Sequence, residues 1–154
     1  MRARELAEWF PVVSLTTDAL TAARTMGDQH HPGLIVCDGD GRPHTVLPGT
    51  QVLRFMIPSY VQDDPALARV YDERGSDELL TKLSNKTVQD LLPRRQDRTE
   101  LPVVDPDATT LEVAAVMTRM HSPVVAVVDD DGQVLGAVTL SRLFEVLFPT
   151  APTT

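Results

Sequence analysis

Two kinds of hydrophobic spacing recur along this chain, and they predict helices alternating with buried strands. Apolar residues three apart, such as Leu20, Ala23 and Met26, form one face of a helix. A run that is apolar throughout, such as Val124–Val128, is typical of a strand buried on both faces. The run Leu34–Cys37 is followed by a turn rich in Asp and Gly, which predicts a hairpin. The pattern therefore predicts a mixed α/β (α+β) fold.

The whole pattern occurs twice. Residues 12–56 align with residues 103–147 at an offset of 91 without a gap, and eleven of the 45 aligned positions are identical. The identities fall on apolar spacings and turn residues, which are the positions that a backbone dictates. Because each copy is too small to bury its own core, we expect the copies to pack about a pseudo-twofold axis with a cleft between them.

The pattern within each copy predicts the element order strand, helix, strand, hairpin, strand, helix. Thr109 stands three residues before Glu112, which is capping-box spacing, and Thr16, Thr17 and Asp18 offer the same cap chemistry in the first copy. The last helix is predicted to begin near Pro48 in the first copy and near Thr139 in the second. A short helix precedes each copy at an offset of 85, so the second copy has six extra residues before its first strand.

These signals divide the chain into segments. The predicted segments are a first repeat at 1–57, a helical insertion at 58–84, a second repeat at 85–148 and a frayed tail at 149–154. Within the insertion, Gly75 predicts the end of one helix and Ser76 the cap of the next, so we expect a helical hairpin.

Composition narrows the possible functions. The net charge of −8 at pH 7 argues against nucleic-acid binding, which depends on Lys and Arg contacts with phosphates. No apolar run approaches the roughly 20 residues that span a bilayer, and the first residues lack the apolar core of a signal peptide. The single cysteine, Cys37, lies in an apolar run and is expected to be a buried, reduced thiol. We expect a cytoplasmic protein with no nucleic-acid partner and no direct membrane insertion.

The reactive residue types form no pattern that predicts catalysis or metal binding. His30 and His121 share a repeat position at a helix end, which favours a structural role. The acidic turn at 129–132 lacks the ligand spacing and the terminal Glu of an EF-hand. The serines have no recognisable base and orienting acid. We expect no metal site and no enzyme activity.

The duplicated unit resembles a tandem pair of cystathionine-β-synthase (CBS) domains. The resemblance is carried by the second copy, in Ser122–Asp129, in Gly132–Thr139 and in the short helix at Thr87–Leu92. It implies a stand-alone regulatory module that binds AMP, ADP, ATP or S-adenosylmethionine in a cleft between the repeats. It also implies a homodimer and a client such as a transporter or metabolic enzyme, controlled in trans.

The resemblance also implies where a ligand would bind. The family signature is a glycine, two apolar residues, Ser or Thr, two further residues and Asp, in which the hydroxyl contacts phosphate and the Asp receives the ribose hydroxyls. Here Arg142 and Gln51 stand at the Asp positions, and Pro48 replaces the hydroxyl residue in the first copy. The expected ligand site consists of Ser122, Pro123, Val124, Val138, Thr139 and Arg142. A weaker second cleft consists of Pro32, Gly33, Pro48 and Gln51.

Arg142 has two interpretations. A cation in the first turn of a helix opposes the macrodipole, so the residue is either a solvated or dimer-interface arginine or a fork for phosphate or carboxylate. In the second case, ATP or ADP should bind more tightly than adenosine.

Two functions remain open at this point. Thr139 and the glycine-containing turn before it favour a ligand sensor, whereas the missing carboxylates favour a dimerisation or interaction scaffold with degenerate clefts. In both cases, the last helix of each copy has more apolar surface than one intramolecular contact needs, which predicts a homodimer. The residues of these faces are Val52, Leu53, Phe55 and Met56 in the first copy, and Leu143, Phe144, Val146 and Leu147 in the second.

Overall fold

Each copy folds into a three-stranded sheet with helices. The structure is a computed structural model that describes residues 1–70 and 73–150. The helices are α1 (Ala3–Leu6), α2 (Ala19–Gln29), α3 (Gly49–Met56), α4 (Ser59–Asp63), α5 (Glu73–Leu80), α6 (Val88–Leu91), α7 (Thr110–Met120) and α8 (Leu140–Leu147). The strands are β1 (Val12–Ser14), β2 (Gly33–Cys37), β3 (Pro43–Pro48), β4 (Val103–Val104), β5 (Val124–Val128) and β6 (Val134–Thr139).

The two sheets have the same strand order. In the first, β2 lies between β1 and β3, and in the second, β5 lies between β4 and β6. The pair β1–β2 is parallel, with Val12 opposite Ile35, and so is β4–β5. The antiparallel pair β5–β6 places Val125 opposite Val138. The central strands are the predicted apolar runs, and both are largely buried.

The predicted duplication is confirmed element by element. The bounds of α2 and α7, β2 and β5, β3 and β6, and α3 and α8 all differ by 91 at both ends. A predicted cap is also present in each copy, and of the three candidates in the first copy it is Asp18 that caps the helix. The carboxylate of Asp18 accepts a hydrogen bond from the Thr21 amide at 3.0 Å, and the hydroxyl of Thr109 accepts one from the Glu112 amide at 3.1 Å. Each cap satisfies a backbone donor that the first helical turn leaves open. The α/β fold class is therefore confirmed.

The two hairpin turns have the same pattern of hydrogen bonds. One carboxylate oxygen of Asp38 accepts hydrogen bonds from the second and fourth amides after it, at 2.9 and 3.1 Å. The equivalent Asp129 oxygen accepts the same two bonds, both at 2.9 Å. Gly41 and Gly132 end these turns with φ of 79° and 83°, a conformation that glycine adopts without steric strain.

Contacts divide the chain into two compact units, each built from separated segments. Unit 1 comprises 1–10, 38–44 and residues from 100 onward, and unit 2 comprises 11–37 and 45–99. Helix α1, which precedes the first repeat, thus belongs to the unit that contains the second repeat. Helix α6, which precedes the second repeat, belongs to the unit that contains the first.

Each unit has its own apolar core, to which the short preceding helix contributes a fully buried leucine. The core of unit 1 consists of Ala3, Leu6, Val104, Ala108, Val113, Met117, Val125, Val127, Val138 and Leu143. The core of unit 2 consists of Ala19, Ala22, Met26, Leu34, Val36, Leu47, Val52, Met56, Leu83, Val88, Leu91 and Leu92. A four-residue helix has no stability of its own, so α1 and α6 depend on this burial.

The insertion differs from the predicted hairpin. After α4, a 3-10 helix spans Pro65–Val70, and α5 continues into a second 3-10 helix at Thr81–Leu83. The predicted boundary at Gly75 and Ser76 is wrong, because α5 runs through both residues. An isolated glycine costs a helix only about 1 kcal/mol relative to alanine, which flanking contacts can offset. Tyr71 and Asp72, and most of the predicted frayed tail (151–154), lie outside the described residues.

The longest helices of the described chain, α2 and α7, have 11 residues each. Within the described ranges, no helix is both long and apolar enough to cross a bilayer.

In unit 1, the segment after α1 lies directly against β6. Glu8 and Ala137 exchange two backbone hydrogen bonds, from Glu8 N to Ala137 O at 2.9 Å and from Ala137 N to Glu8 O at 3.0 Å. A Cβ atom added at Gly136 would lie 2.7 Å from the Glu8 carbonyl oxygen and 3.2 Å from the Ala7 Cβ. Only glycine therefore permits this approach without a backbone shift.

We predict that Gly136→Ala lowers the free energy of unfolding by about 1–3 kcal/mol, because the new methyl group overlaps fixed backbone atoms. The matched control is Gly27→Ala in α2, where an added Cβ meets nothing within 4 Å and should stabilise the helix by about 0.5–1 kcal/mol. Urea unfolding of both variants measures the difference. Equal stabilities of Gly136→Ala and the parent would contradict the close approach.

Candidate functional site

The residues predicted to form the ligand site of the second copy lie around the start of α8, in unit 1. The Thr139 hydroxyl caps that helix by accepting the Arg142 amide at 3.2 Å, and the Leu140 amide donates to the Pro123 carbonyl at 2.9 Å. The Ser122 hydroxyl donates to the Val124 carbonyl at 2.7 Å. Val124 and Val138 are core residues. The polar groups proposed for ligand binding are thus already engaged with one another or with neighbouring backbone.

Arg142 is the most heavily engaged of these residues. Its Nε lies 3.3 Å from the Leu6 carbonyl oxygen and 3.5 Å from a Glu8 carboxylate oxygen, and its NH1 lies 3.4 Å from a Glu145 carboxylate oxygen. Its side chain is 27% exposed. The guanidinium therefore holds α1 through a backbone carbonyl and is neutralised by two acidic neighbours. This geometry matches neither interpretation, because the side chain is bound within unit 1 and holds the fold together instead of facing solvent, a partner subunit or an anion.

The equivalent position in the first copy makes the same contact with a neutral side chain. The Nε2 of Gln51 donates to the Leu91 carbonyl oxygen at 3.0 Å, so it holds α6 as Arg142 holds α1. Gly33 begins β2, next to β3 in the sheet, and a Cβ added there would lie 3.2 Å from the Leu47 carbonyl oxygen. The Pro32 carbonyl accepts the Gly49 amide at 2.8 Å.

A polar cavity of about 460 Å³ opens beside the first-copy residues, entirely within unit 2. Its lining comes from β3 and α3 on one side and from the segment after α6 on the other. The lining residues are Thr45, Val46, Pro48, Gln51, Arg54, Pro93, Asp97, Arg98 and Thr99. The sequence prediction included Pro48 and Gln51 but missed the rest. The sequence feature that could have indicated these residues is the arginine-rich stretch of six extra residues before the first strand of the second copy.

The start of α3 borders this cavity and has no side-chain cap. Pro48 is the N-cap residue of α3, and its side chain makes no capping hydrogen bond. Thr139 does cap the equivalent turn of α8. Uncapped amides at a helix N-terminus attract anions, because they combine hydrogen-bond donors with the positive end of the helix dipole. Pro48 therefore removes a hydroxyl that would compete with an anion for these amides.

The charges that line the cavity suit an anion as well. Arg54 lies on α3, one turn into the helix, and no carboxylate among the described residues pairs with it. Arg98 enters from the opposite side, where its Nε donates to the Pro93 carbonyl oxygen at 3.0 Å. Asp97 is the one acidic residue in the lining. Guanidinium groups match phosphate and carboxylate geometry, so the cavity can hold an anionic group.

The histidines and acidic residues do not assemble into a metal centre in the part of the chain that the structure describes. His30 and His121 instead end α2 and α7 as C-cap residues in the left-handed conformation, with φ of 55° and 50°. Both lie at the predicted helix ends, where the left-handed cap satisfies terminal carbonyls.

We predict that Arg142→Ala lowers the free energy of unfolding by about 1 kcal/mol, because it removes the hydrogen bond to α1. Arg142→Gln should retain most of that stability, since Gln51 makes the equivalent bond in unit 2. Chemical denaturation measures both variants. If Arg142→Gln is as unstable as Arg142→Ala, the ion pairs with Glu8 and Glu145, and not the carbonyl contact, hold the segment.

Comparison with known proteins identifies relatives over nearly the whole chain. The CBS domain family model matches residues 88–149. The crystal structure of a CBS domain-containing protein from Kribbella flavida is 51% identical, with a TM-score of 0.85 over 96% of this chain and 98% of that one. A comparison with curated protein sequences gives no match.

Two more distant structures share the fold. The CBS domain of a CBS domain-containing membrane protein from Sphaerobacter thermophilus is 20% identical, with a TM-score of 0.73 over 97% of this chain and 90% of that one. The structure of CBSX2 in complex with AMP is 18% identical, with a TM-score of 0.62 over 95% of both chains.

Proposed function

Because the chain belongs to the CBS domain-containing proteins, we propose that it is a regulatory module that senses an adenine nucleotide or related anionic ligand and controls a partner protein. The observation that carries the proposal is the polar cavity at the uncapped start of α3, with Arg54 in its wall. The proposal assigns the module no catalytic step and places it in the cytoplasm. Its client is a protein such as a transporter or a metabolic enzyme.

The geometry supports the first-copy cavity over the second-copy residues as the ligand site. In unit 1, the Thr139 hydroxyl already accepts a hydrogen bond from a first-turn amide of α8. The Arg142 side chain is bound to carbonyl and carboxylate oxygens. In unit 2, the equivalent helix start has no side-chain cap and a guanidinium without a carboxylate partner among the described residues. An anion would therefore displace fewer existing interactions in unit 2.

The class of ligand follows from the cavity and from one relative. CBSX2 has been crystallised in complex with AMP, which supports an adenine nucleotide. The cavity has no carboxylate at the position of the family's ribose-binding Asp, because Gln51 stands there and donates to the Leu91 carbonyl. Binding should therefore depend on phosphate more than on ribose, and ATP or ADP should bind more tightly than adenosine.

We predict that Arg54→Ala weakens ATP binding about tenfold, because it removes one charge-assisted hydrogen bond from a partly solvated cavity. Isothermal titration with ATP, ADP, AMP, adenosine and inorganic phosphate measures the affinities. The matched control is Arg24→Ala, which removes an exposed arginine elsewhere in unit 2 and should leave ATP affinity unchanged.

Three results would contradict this assignment. Equal affinity for adenosine and ATP would remove the case for anion recognition. Unchanged ATP affinity in Arg54→Ala, together with weakened affinity in Arg142→Ala, would return the site to the second copy. Failure of every ligand to bind would favour the interaction scaffold.

The scaffold function has its own support in the apolar face of α8. Phe144, Leu147 and Phe148 are 49%, 42% and 71% exposed, and the two phenylalanine rings make an edge contact with centroids 5.8 Å apart. In the first copy, the counterparts of Leu147 and Phe148 are better covered, because Met56 is buried and Ile57 is half-buried. We propose that a second copy of the chain covers the α8 face in a homodimer, whether or not a ligand binds.

We predict that Phe144→Asp converts the homodimer to monomer, since a charge would be buried in an apolar contact. Leu111→Asp is the control, because Leu111 on α7 is 77% exposed and lies outside the α8 face. Light scattering at micromolar concentration gives the mass of each variant. A monomeric parent protein, or a dimer that survives Phe144→Asp, would exclude this face as the interface.

A further inference from the structure

Two side chains on one wall of the unit 2 cavity hold the segment that forms the opposite wall. The Thr45 hydroxyl donates to the Thr99 carbonyl oxygen at 2.6 Å, at the end of that segment. The Gln51 amide donates to the Leu91 carbonyl oxygen at 3.0 Å, just before the segment begins. Residues 93–99 are therefore attached to β3 and α3 at both ends.

Between these attachments, two hydrogen bonds lie within the segment itself. The Asp97 amide donates to the Arg94 carbonyl at 2.8 Å, and the Arg98 side chain donates to the Pro93 carbonyl at 3.0 Å. Residues 94–97 are exposed. A surface segment of this kind, with local hydrogen bonds and few buried side chains, opens at lower free energy than the core that it covers.

Thr45 is unusual for its position. It is 2% exposed, and its hydroxyl hydrogen bond crosses from β3 to a residue 54 positions later. The equivalent position in the second copy is Gly136, which has no side chain because the segment after α1 lies directly against β6. The longer segment of unit 2 stands away from β3, and a threonine bridges the resulting space.

From these contacts we infer that residues 93–99 form a latch over the cavity, and that Thr45 and Gln51 are its two fastenings. Releasing either bond lets the latch open and exposes the cavity wall without unfolding unit 2. The inference rests on the proposed function only in taking the cavity as a binding site. Ligand entry and exit would then be limited by latch opening, so both fastenings would be positioning residues for the sensor.

A thiol placed in the cavity wall tests the latch without any ligand. Val46 lines the cavity and is half-buried, so Val46→Cys in the full chain reports access to the interior. Its rate of modification by methyl methanethiosulfonate is followed by peptide mass spectrometry, which separates it from the buried Cys37. In this background, Thr45→Val and Gln51→Leu should each raise the modification rate about 2- to 10-fold, as expected for the loss of one hydrogen bond.

Matched variants distinguish opening of the latch from a general loss of stability of the protein. Thr45→Ser keeps the hydroxyl donor and should return the rate to that of the Val46→Cys parent. Arg142→Leu removes the equivalent fastening in unit 1 and should leave the rate unchanged. If Thr45→Val fails to fold, as judged by circular dichroism, the Gln51→Leu variant tests the latch instead, because Gln51 is only half-buried.

Two results would overturn the latch. One is an unchanged modification rate in the folded fastening variants, and the other is an equal rise in Arg142→Leu. A separate titration of the parent protein with ATP, ADP and phosphate tests the proposed function independently of the latch. If ATP, ADP and phosphate all fail to bind while the fastening variants accelerate modification, the proposed function fails and the latch stands. If ATP binds and the rates do not change, the latch fails and the proposed function stands.

Discussion

The burial of one leucine from each short preceding helix is the interaction on which both units depend. Leu6 and Leu91 are fully buried, and each lies in the core of the unit built on the other repeat. A fully buried leucine contributes about 1.5–3 kcal/mol, whereas a four-residue helix contributes almost nothing by itself. The third residue of the last helix, Arg142 in unit 1 and Gln51 in unit 2, adds a side-chain hydrogen bond to the backbone of each preceding helix. The positions where the family's ribose carboxylate would stand are thus used to hold the fold together.

The difference between the units arises from chain length. Where the connection after the helix is short, Glu8 pairs directly with Ala137, and glycine is needed at position 136. Where it is six residues longer, the connection stands away from β3, and Thr45 spans the space. A cavity lined by the uncapped start of α3 and by two arginines opens beside it. Two copies of one supersecondary unit therefore offer different chemistry with the same order of strands and helices.

Sequence patterns predicted the parts of the fold that local physics determines. The shared offset, the caps at Asp18 and Thr109 and the glycine turns all follow from backbone requirements that a sequence records directly. The boundary at Gly75 was wrong, because the helix propensity of one glycine, about 1 kcal/mol below that of alanine, is too small a cost to end a helix by itself.

The candidate site was harder to predict from the sequence. Arg98 is separated from Thr45 and Arg54 by the whole insertion, and only the path of the connecting segment brings it to the same cavity. The environment of Arg142 was equally hidden, because its partners Leu6 and Glu8 lie at the other end of the chain.

The exchanged helices also bear on how such a chain can originate. In an ancestor with a single repeat, the same exchange would have required two chains, each lending its first helix to the other. Joining two copies in one gene turns that association into an intramolecular contact, with an effective concentration in the millimolar range for a short connection. Folding then no longer depends on protein concentration. Each copy also becomes free to mutate alone, which is how one could keep a glycine while the other acquired a threonine.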